Sequence, residues 1–311
     1  MKLVTYIAPT PFGNVDRLGA IDGDCIVDLS ASFEARMRDR GAAAELARAR
    51  VPPSLIELLR REEQGMEDAR AALEFARTTG GCTVAASGVR LRAPLPRPNS
   101  IRDFMLVEEH VRNTGLELPR EWYEIPAYWK GNPDAVFGPG DEIRWPEYTE
   151  KLDYELEMGL VIGRRAHRVS AADAPGYVAG FTIFNDWSAR DIQMREMKVS
   201  LGPGLGKDFA TSMGPCLVTP DELGDPRGVH METRVNGERW SAGTVGAMQF
   251  GFPELIAHLS REQTLLPGDV LGSGTIGGGC GLEIGRWIQP GDVIELEAAG
   301  IGVLANRVVR D

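Results

Sequence analysis

The sequence predicts an α+β chain, rich in β-structure, in which a small strand-and-helix module precedes a larger β-rich domain. Three observations predict it. Residues 2–8 and 25–29 read as short strands around the turn Asp22-Gly23-Asp24, and 32–78 is rich in Ala, Arg, Glu and Leu with apolar positions at helical spacing. The segment Arg92 to Ser100 carries three prolines in nine residues, which favours an extended connector. Beyond it the texture changes to short β-like runs, 155–162, 178–184, 231–236, 293–297 and 301–304, punctuated by Gly-Pro-Gly-Asp, Pro-Gly-Asp and Asn-Gly turns. The expected division is therefore 1–91, a connector at 92–100, and 101–311, with the clearest late helices at about 189–199 and 252–260.

Composition narrows the function. Across 311 residues, 45 Asp and Glu oppose 34 Lys and Arg, a net charge of −11. That balance argues against polyanion binding, and no nucleic-acid partner is expected. Cys25, Cys82, Cys216 and Cys280 form no CxxC pair, which fits neither a disulfide framework nor a zinc site and points to a reducing compartment. The first residues meet Pro, Gly and Asp before any long apolar run, and no stretch approaches ~20 apolar residues. Neither a leader nor a membrane span is expected, and the expected location is cytoplasmic.

Two glycine-rich phrases are decoys. Gly202-Pro203-Gly204-Leu205-Gly206-Lys207 lacks phosphate-loop spacing, since position 201 is Leu and position 208 is Asp. Gly272-Ser273-Gly274-Thr275-Ile276-Gly277 satisfies a dinucleotide pattern, but Gly278, Gly279 and Gly281 oppose the helix that such a site needs. It reads better as flexible backbone approaching a substrate.

The chemistry-bearing phrase is Asp153-Tyr154-Glu155-Leu156-Glu157. Alternate strand side chains share a face, so Glu155 and Glu157, with Cα atoms about 7 Å apart, can converge on one cation. A half-solvated strand would explain the acids alone. Asn185-Asp186-Trp187 shifts the balance, because it ends an apolar run and opens a helix, a place where sites are often built. Like charges gathered there repel unless neutralised, and an all-oxygen set suits Mg²⁺, Mn²⁺ or Ca²⁺ better than zinc.

Taken together, Glu155-Leu156-Glu157, then Asn185-Asp186-Trp187-Ser188-Ala189-Arg190-Asp191-Ile192-Gln193, the loop ending at Lys207, and Gly272-Ser273-Gly274-Thr275 resemble the fumarylacetoacetate hydrolase family over about residues 95–305. The resemblance implies a C-terminal mixed β-sandwich or rolled sheet behind a smaller N-terminal module, as a homodimer. It also implies that Glu155, Glu157 and Asp186 hold the metal, with Asp103 completing the set. His110, seven residues after Asp103, falls where the family's hydrolases carry a catalytic histidine, and Glu283 where they carry its partner glutamate. Arg190, Gln193 and Lys207 match groups that meet a developing oxyanion, and Thr275, beside Gly274, matches a donor to the substrate carboxylate. Met105 and the phrase beginning at Tyr128 depart from the animal hydrolase pattern in regions that contact substrate.

The leading expectation is metal-dependent hydrolysis of a carbon–carbon bond in a small 2,4-diketo acid, acylpyruvate or fumarylacetoacetate-like, by water that His110 and Glu283 activate. The alternative, on the same metal site, is decarboxylation or keto–enol tautomerisation of an oxaloacetate-like 2-oxo acid.

Overall fold

The computed structural model describes residues 1–310, and its framework is two β-sheets packed face to face with a helical layer on the outer side of the larger one. The larger sheet runs, edge to edge, Thr83–Ala85, Cys25–Asp28, Gly13–Asp22, Lys2–Thr10, Thr211–Val218, Val178–Asp186, Leu156–Ile162, Asp269–Gly272, Ser100–Phe104 and Tyr128–Gly131, with Val136–Phe137 paired on Thr211–Val218. The smaller one runs Glu238–Gly243, Met231–Val235, Val293–Ala298, Gly302–Val309 and Glu142–Arg144.

Period-two alternation explains the layering. Leu160 and Ile162 join Met231, Leu296, Leu304 and Val308 in the core between the sheets. Val161, between them, points the other way, into a second core with Phe184, Phe33, Leu58 and Ala72. Because both faces are covered, every residue of Leu156–Ile162 is buried, and the run reads as nearly continuous apolar sequence.

The N-terminal strands are not a separate sheet. Lys2 and Leu3 pair with Val218 and Leu217, and the proline-rich segment lies against the same strand, with Arg92 donating to the Thr5 carbonyl and the Thr5 hydroxyl to that of Pro94. The expected strand 25–29 ends at Asp28 because its carboxylate accepts the amide of Ala31 and caps helix Leu29–Arg38. The expected helical stretch 32–78 is divided into Leu29–Arg38, Ala44–Arg50, Leu55–Leu59 and Glu62–Thr79. Gly41, at φ +75°, and Pro52-Pro53 supply the breaks.

The chain around Asp103 and His110 divides into strand Ser100–Phe104 and helix Glu108–Asn113. The turn between them separates Asp103, on the sheet, from His110, on the helix. Several strands had no legible signal, including Gly13–Asp22, Thr211–Val218 and Asp269–Gly272.

Phe33 is fully buried on the helical side of the sheet. Phe33→Ala should lower unfolding free energy by about 3–5 kcal/mol in a urea titration while leaving turnover per folded molecule intact.

Candidate active site

The site lies on the face of the larger sheet whose other end the N-terminal helices cover. Asp103 stands on the same face as Ile101, Glu157 as Val161, and Asp186 as Phe184, all residues of the helix-side core. Register brings them together. Gly272 pairs with both Gly159 and Asp103, and Glu157 pairs with Phe184, two residues before Asp186. One carboxylate oxygen from each of Asp103, Glu157 and Asp186 lies within 4.8 Å of the others. Gly272 makes the space, since a Cβ there would fall 2.1 Å from Asp103 Oδ1 and 2.9 Å from Glu157 Oε2.

Of the four expected metal ligands, the structure therefore brings together three. Glu155 is engaged elsewhere. Its Oε2 accepts from Lys207 Nζ at 2.5 Å, and its Oε1 lies 2.8 Å from Arg190 Nη1 and 3.8 Å from His110 Nε2. Lys207 also donates to Asp186 Oδ2, so its ammonium sits between the two acids. The physical reason is charge: Asp103, Asp153, Glu155, Glu157 and Asp186 are all buried, and Arg190 and Lys207 are the basic side chains paired with them.

Burial raises the carboxyl pKa of Glu157, and the facing Asp103 raises it further. Burial likewise raises Asp103 and Asp186, against the opposing pull of Lys207. At Glu155 burial acts upward too, but Arg190 and Lys207 outweigh it and hold the group well below the usual carboxylate range. Asp103 Oδ1 and Asp186 Oδ1 are buried and accept no hydrogen bond among the described residues. Converging hard oxygens, two of them without donors, fit a divalent cation that prefers oxygen ligands.

The base side is built on helix Glu108–Asn113 and the turn carrying Glu283. His110 Nδ1 lies 2.7 Å from Glu283 Oε1, and Glu283 Oε2 accepts from the Gly278 amide at 2.7 Å and from Asn113 Nδ2 at 3.0 Å. Glu283 is thus arranged as an acceptor for an Nδ1 proton, and Nε2 is the ring nitrogen on the side of Glu155. Asp153 joins the two sides. It accepts from Arg190 Nε at 2.8 Å and from the amides of Gly281 and Leu282 at 2.8 and 3.1 Å, at the start of the turn bearing Glu283.

These groups meet at a cavity of about 450 Å³. Asp103, His110, Glu155, Glu157, Arg190 and Lys207 line it, as do Met105, Tyr128, Gln193 and Thr275. Several expected substrate donors are directed at protein groups. The Thr275 hydroxyl donates to Glu157 Oε1 at 3.3 Å, the Gly274 amide to Glu157 Oε2 at 3.0 Å, and Gln193 Oε1 accepts from Arg190. Trp129, whose indole donates to Asp103 Oδ2 at 3.1 Å, was not legible as a site residue. Asn113 carried a faint signal, three residues after His110 on one helix face.

Comparison with known proteins identifies the family. Residues 100–309 match the fumarylacetoacetate hydrolase C-terminal family. The chain is 35% identical over 266 residues to oxaloacetate tautomerase YisK of Bacillus subtilis, covering 83% of this chain and 87% of that protein. It is 33% identical over 314 residues to the mitochondrial oxaloacetate tautomerase FAHD2B of Bos taurus, covering 99% and 92%. Among solved structures, maleylpyruvate hydrolase from Sphingobium sp. SYK-6 in complex with manganese(II) ion and pyruvate superposes with a TM-score of 0.74 at 25% identity, covering 100% of this chain and 99% of that one. The tautomerase relatives overturn the expectation of carbon–carbon hydrolysis. That expectation rested on the His110–Glu283 pair, and a positioned base of this kind can serve in proton transfer from carbon as well as from water. No helix among the described residues is long and apolar enough to cross a membrane. The chain belongs to the fumarylacetoacetate hydrolase family.

Proposed function

We propose that this protein is a divalent-cation-dependent keto–enol tautomerase of an oxaloacetate-like 2-oxo acid. The observation that carries this reading is the similarity, over up to 99% of the chain, to oxaloacetate tautomerases. The site supports it with two elements that enolisation needs: a carboxylate set for a cation, and a base at the cavity wall.

Asp103, Glu157 and Asp186 would hold the cation, Mg²⁺ or alternatively Mn²⁺ or Ca²⁺, with Glu155 beside them balancing Lys207. When bound, it supplies Lewis-acid polarisation of the 2-oxo group and its neighbouring carboxylate. His110 Nε2 takes a proton from the carbon next to the 2-oxo carbonyl. Glu283 receives the Nδ1 proton in a hydrogen bond and steadies the imidazolium that forms. The electron pair of the broken C–H bond forms the carbon–carbon double bond as the carbonyl pair moves to the 2-oxo oxygen, with the N–H donors of Arg190 and Lys207 at the cavity wall to meet it. The imidazolium gives up its proton as that oxygen gains one, so the net change is one proton moved from carbon to oxygen, and the reverse sequence restores the ketone. No water is consumed.

Two outcomes test the reading. The ultraviolet absorbance of oxaloacetate enol should decay faster with protein and Mg²⁺ than with protein and EDTA, and His110→Ala should lower kcat by about 10²- to 10⁴-fold. Carbon dioxide release without enol–keto exchange, or exchange indifferent to His110, would contradict it.

The second outcome concerns stability. Because Asp103, Glu157 and Asp186 are raised in the folded protein, folding takes up protons. Their stabilising contribution is present at acid pH and is lost as pH climbs above the ordinary carboxylate range through the raised values. A cation needs the ionised forms, so the gain in melting temperature from Mg²⁺ over EDTA should widen from about pH 5 to about pH 8. At a hundredfold excess over Kd the gain corresponds to about 2.7 kcal/mol. Gly272→Ala should close the gap; an equal gap at every pH would contradict the assignment.

A further inference from the structure

Four basic side chains line the cavity: His110, Lys151, Arg190 and Lys207. Three are committed: His110 to Glu283, Arg190 to Asp153 and Glu155, and Lys207 to Glu155 and Asp186. Lys151 alone of the four forms no ion pair among the described residues. Asp191, an acid that also lines the cavity, does not neutralise it, because its oxygens accept from the Thr149 hydroxyl and the Glu150 and Ile192 amides.

Lys151 is solvent-exposed, at the mouth of the cavity, and its backbone is held in place. Its carbonyl accepts the Arg190 amide at 2.8 Å, and the next two residues pair with Ser188 and Ala189. Its ammonium lies 5.3 Å from the centre of the Trp287 ring, a contact that orients a cation without discharging it. Much of the remaining wall, including Met105, Leu116, Met194, Met197, Leu282 and Trp287, is apolar. An unpaired cation in such a wall is a recognition element for an anion.

Its position fixes which anion. Lys151, Glu155 and Glu157 belong to one segment and all line the cavity. Lys151 thus borders the same cavity as Asp103 and Glu157 of the carboxylate set, the space that a short diacid would occupy. The 2-oxo end of the substrate belongs at the carboxylate set, which leaves its far end to Lys151.

We propose that Lys151, backed by Trp287, binds the carboxylate at the substrate end opposite the 2-oxo group, so that the site selects 2-oxo dicarboxylic acids over monocarboxylic ones. This rests on the 2-oxo acid reading above and adds the substrate's second charge. Arg190 and Lys207 cannot supply the same selection, because their charges are already balanced.

The test is calorimetric titration of the Mg²⁺-loaded protein with fresh oxaloacetate and with pyruvate, which lacks the second carboxylate. Wild-type protein should bind oxaloacetate the more tightly. Lys151→Gln should weaken oxaloacetate about tenfold and leave pyruvate unchanged, and Lys151→Arg should stay close to wild type. In turnover, Lys151→Gln should raise KM more than it lowers kcat. Unchanged pyruvate binding also certifies that the variant is folded. Equal weakening of both ligands, or of neither, would overturn the proposal. Selective loss of oxaloacetate affinity in a protein that fails to speed enol–keto exchange would uphold Lys151's role while removing the tautomerase reading.

Discussion

The interaction on which the site depends is the buried ammonium of Lys207, held between Glu155 and Asp186. Four buried carboxylates brought together from three segments would repel one another strongly. Lys207 and Arg190 divide them into two classes. Glu155, paired with both, is held below the usual carboxylate range. Asp103, Glu157 and Asp186 are under-compensated and converge. A residual demand for positive charge is the physical meaning of a cation site, and here it is produced by an internal lysine that satisfies only part of the acids.

The same charges tie the reacting groups into one frame. Arg190 bridges Glu155 to Asp153, and Asp153 receives the amides that begin the turn carrying Glu283. Glu283 in turn orients His110. The base and the carboxylate set are therefore linked through fully buried Asp153. The sheet supplies rigidity beneath: the site strand is hydrogen-bonded on both sides, to Val178–Asp186 and to Asp269–Gly272. Gly272 lets two carboxylates approach over it.

Much of this was legible in the sequence, and the limits have physical causes. Glu157 and Asp186 could be found because alternation and a strand-to-helix turn are local properties. Asp103, His110 and Glu283 were reached through resemblance alone, since their meeting depends on a parallel pairing between residues 100–103 and 269–272 that no local pattern encodes. Glu155 was read as equivalent to Glu157; the strand pattern is indeed the same, and only the arrival of Lys207 and Arg190 from the following helix and loop separates their roles. Lys151 and Trp129 escaped notice for a similar reason, because their partners lie far away in the chain. Strands such as Thr211–Val218, interrupted by Gly214 and Pro215, carry a weak propensity that pairing on three strands overrides. The choice between attack by water and transfer of a proton lies beyond what one His–Glu pair specifies; it is the similarity to oxaloacetate tautomerases that favours proton transfer.

The central claim is that His110 moves a proton at carbon in an acid held at the carboxylate set. The most direct measurement is nuclear magnetic resonance of oxaloacetate in D₂O, following deuterium entry at the carbon next to the 2-oxo group. One base on one side of a fixed substrate should introduce deuterium at a single prochiral position, only with the divalent cation present, and not in His110→Ala. Deuterium entering both positions at the uncatalysed rate, or a substrate cleaved or decarboxylated with no enzyme-dependent exchange, would contradict the account.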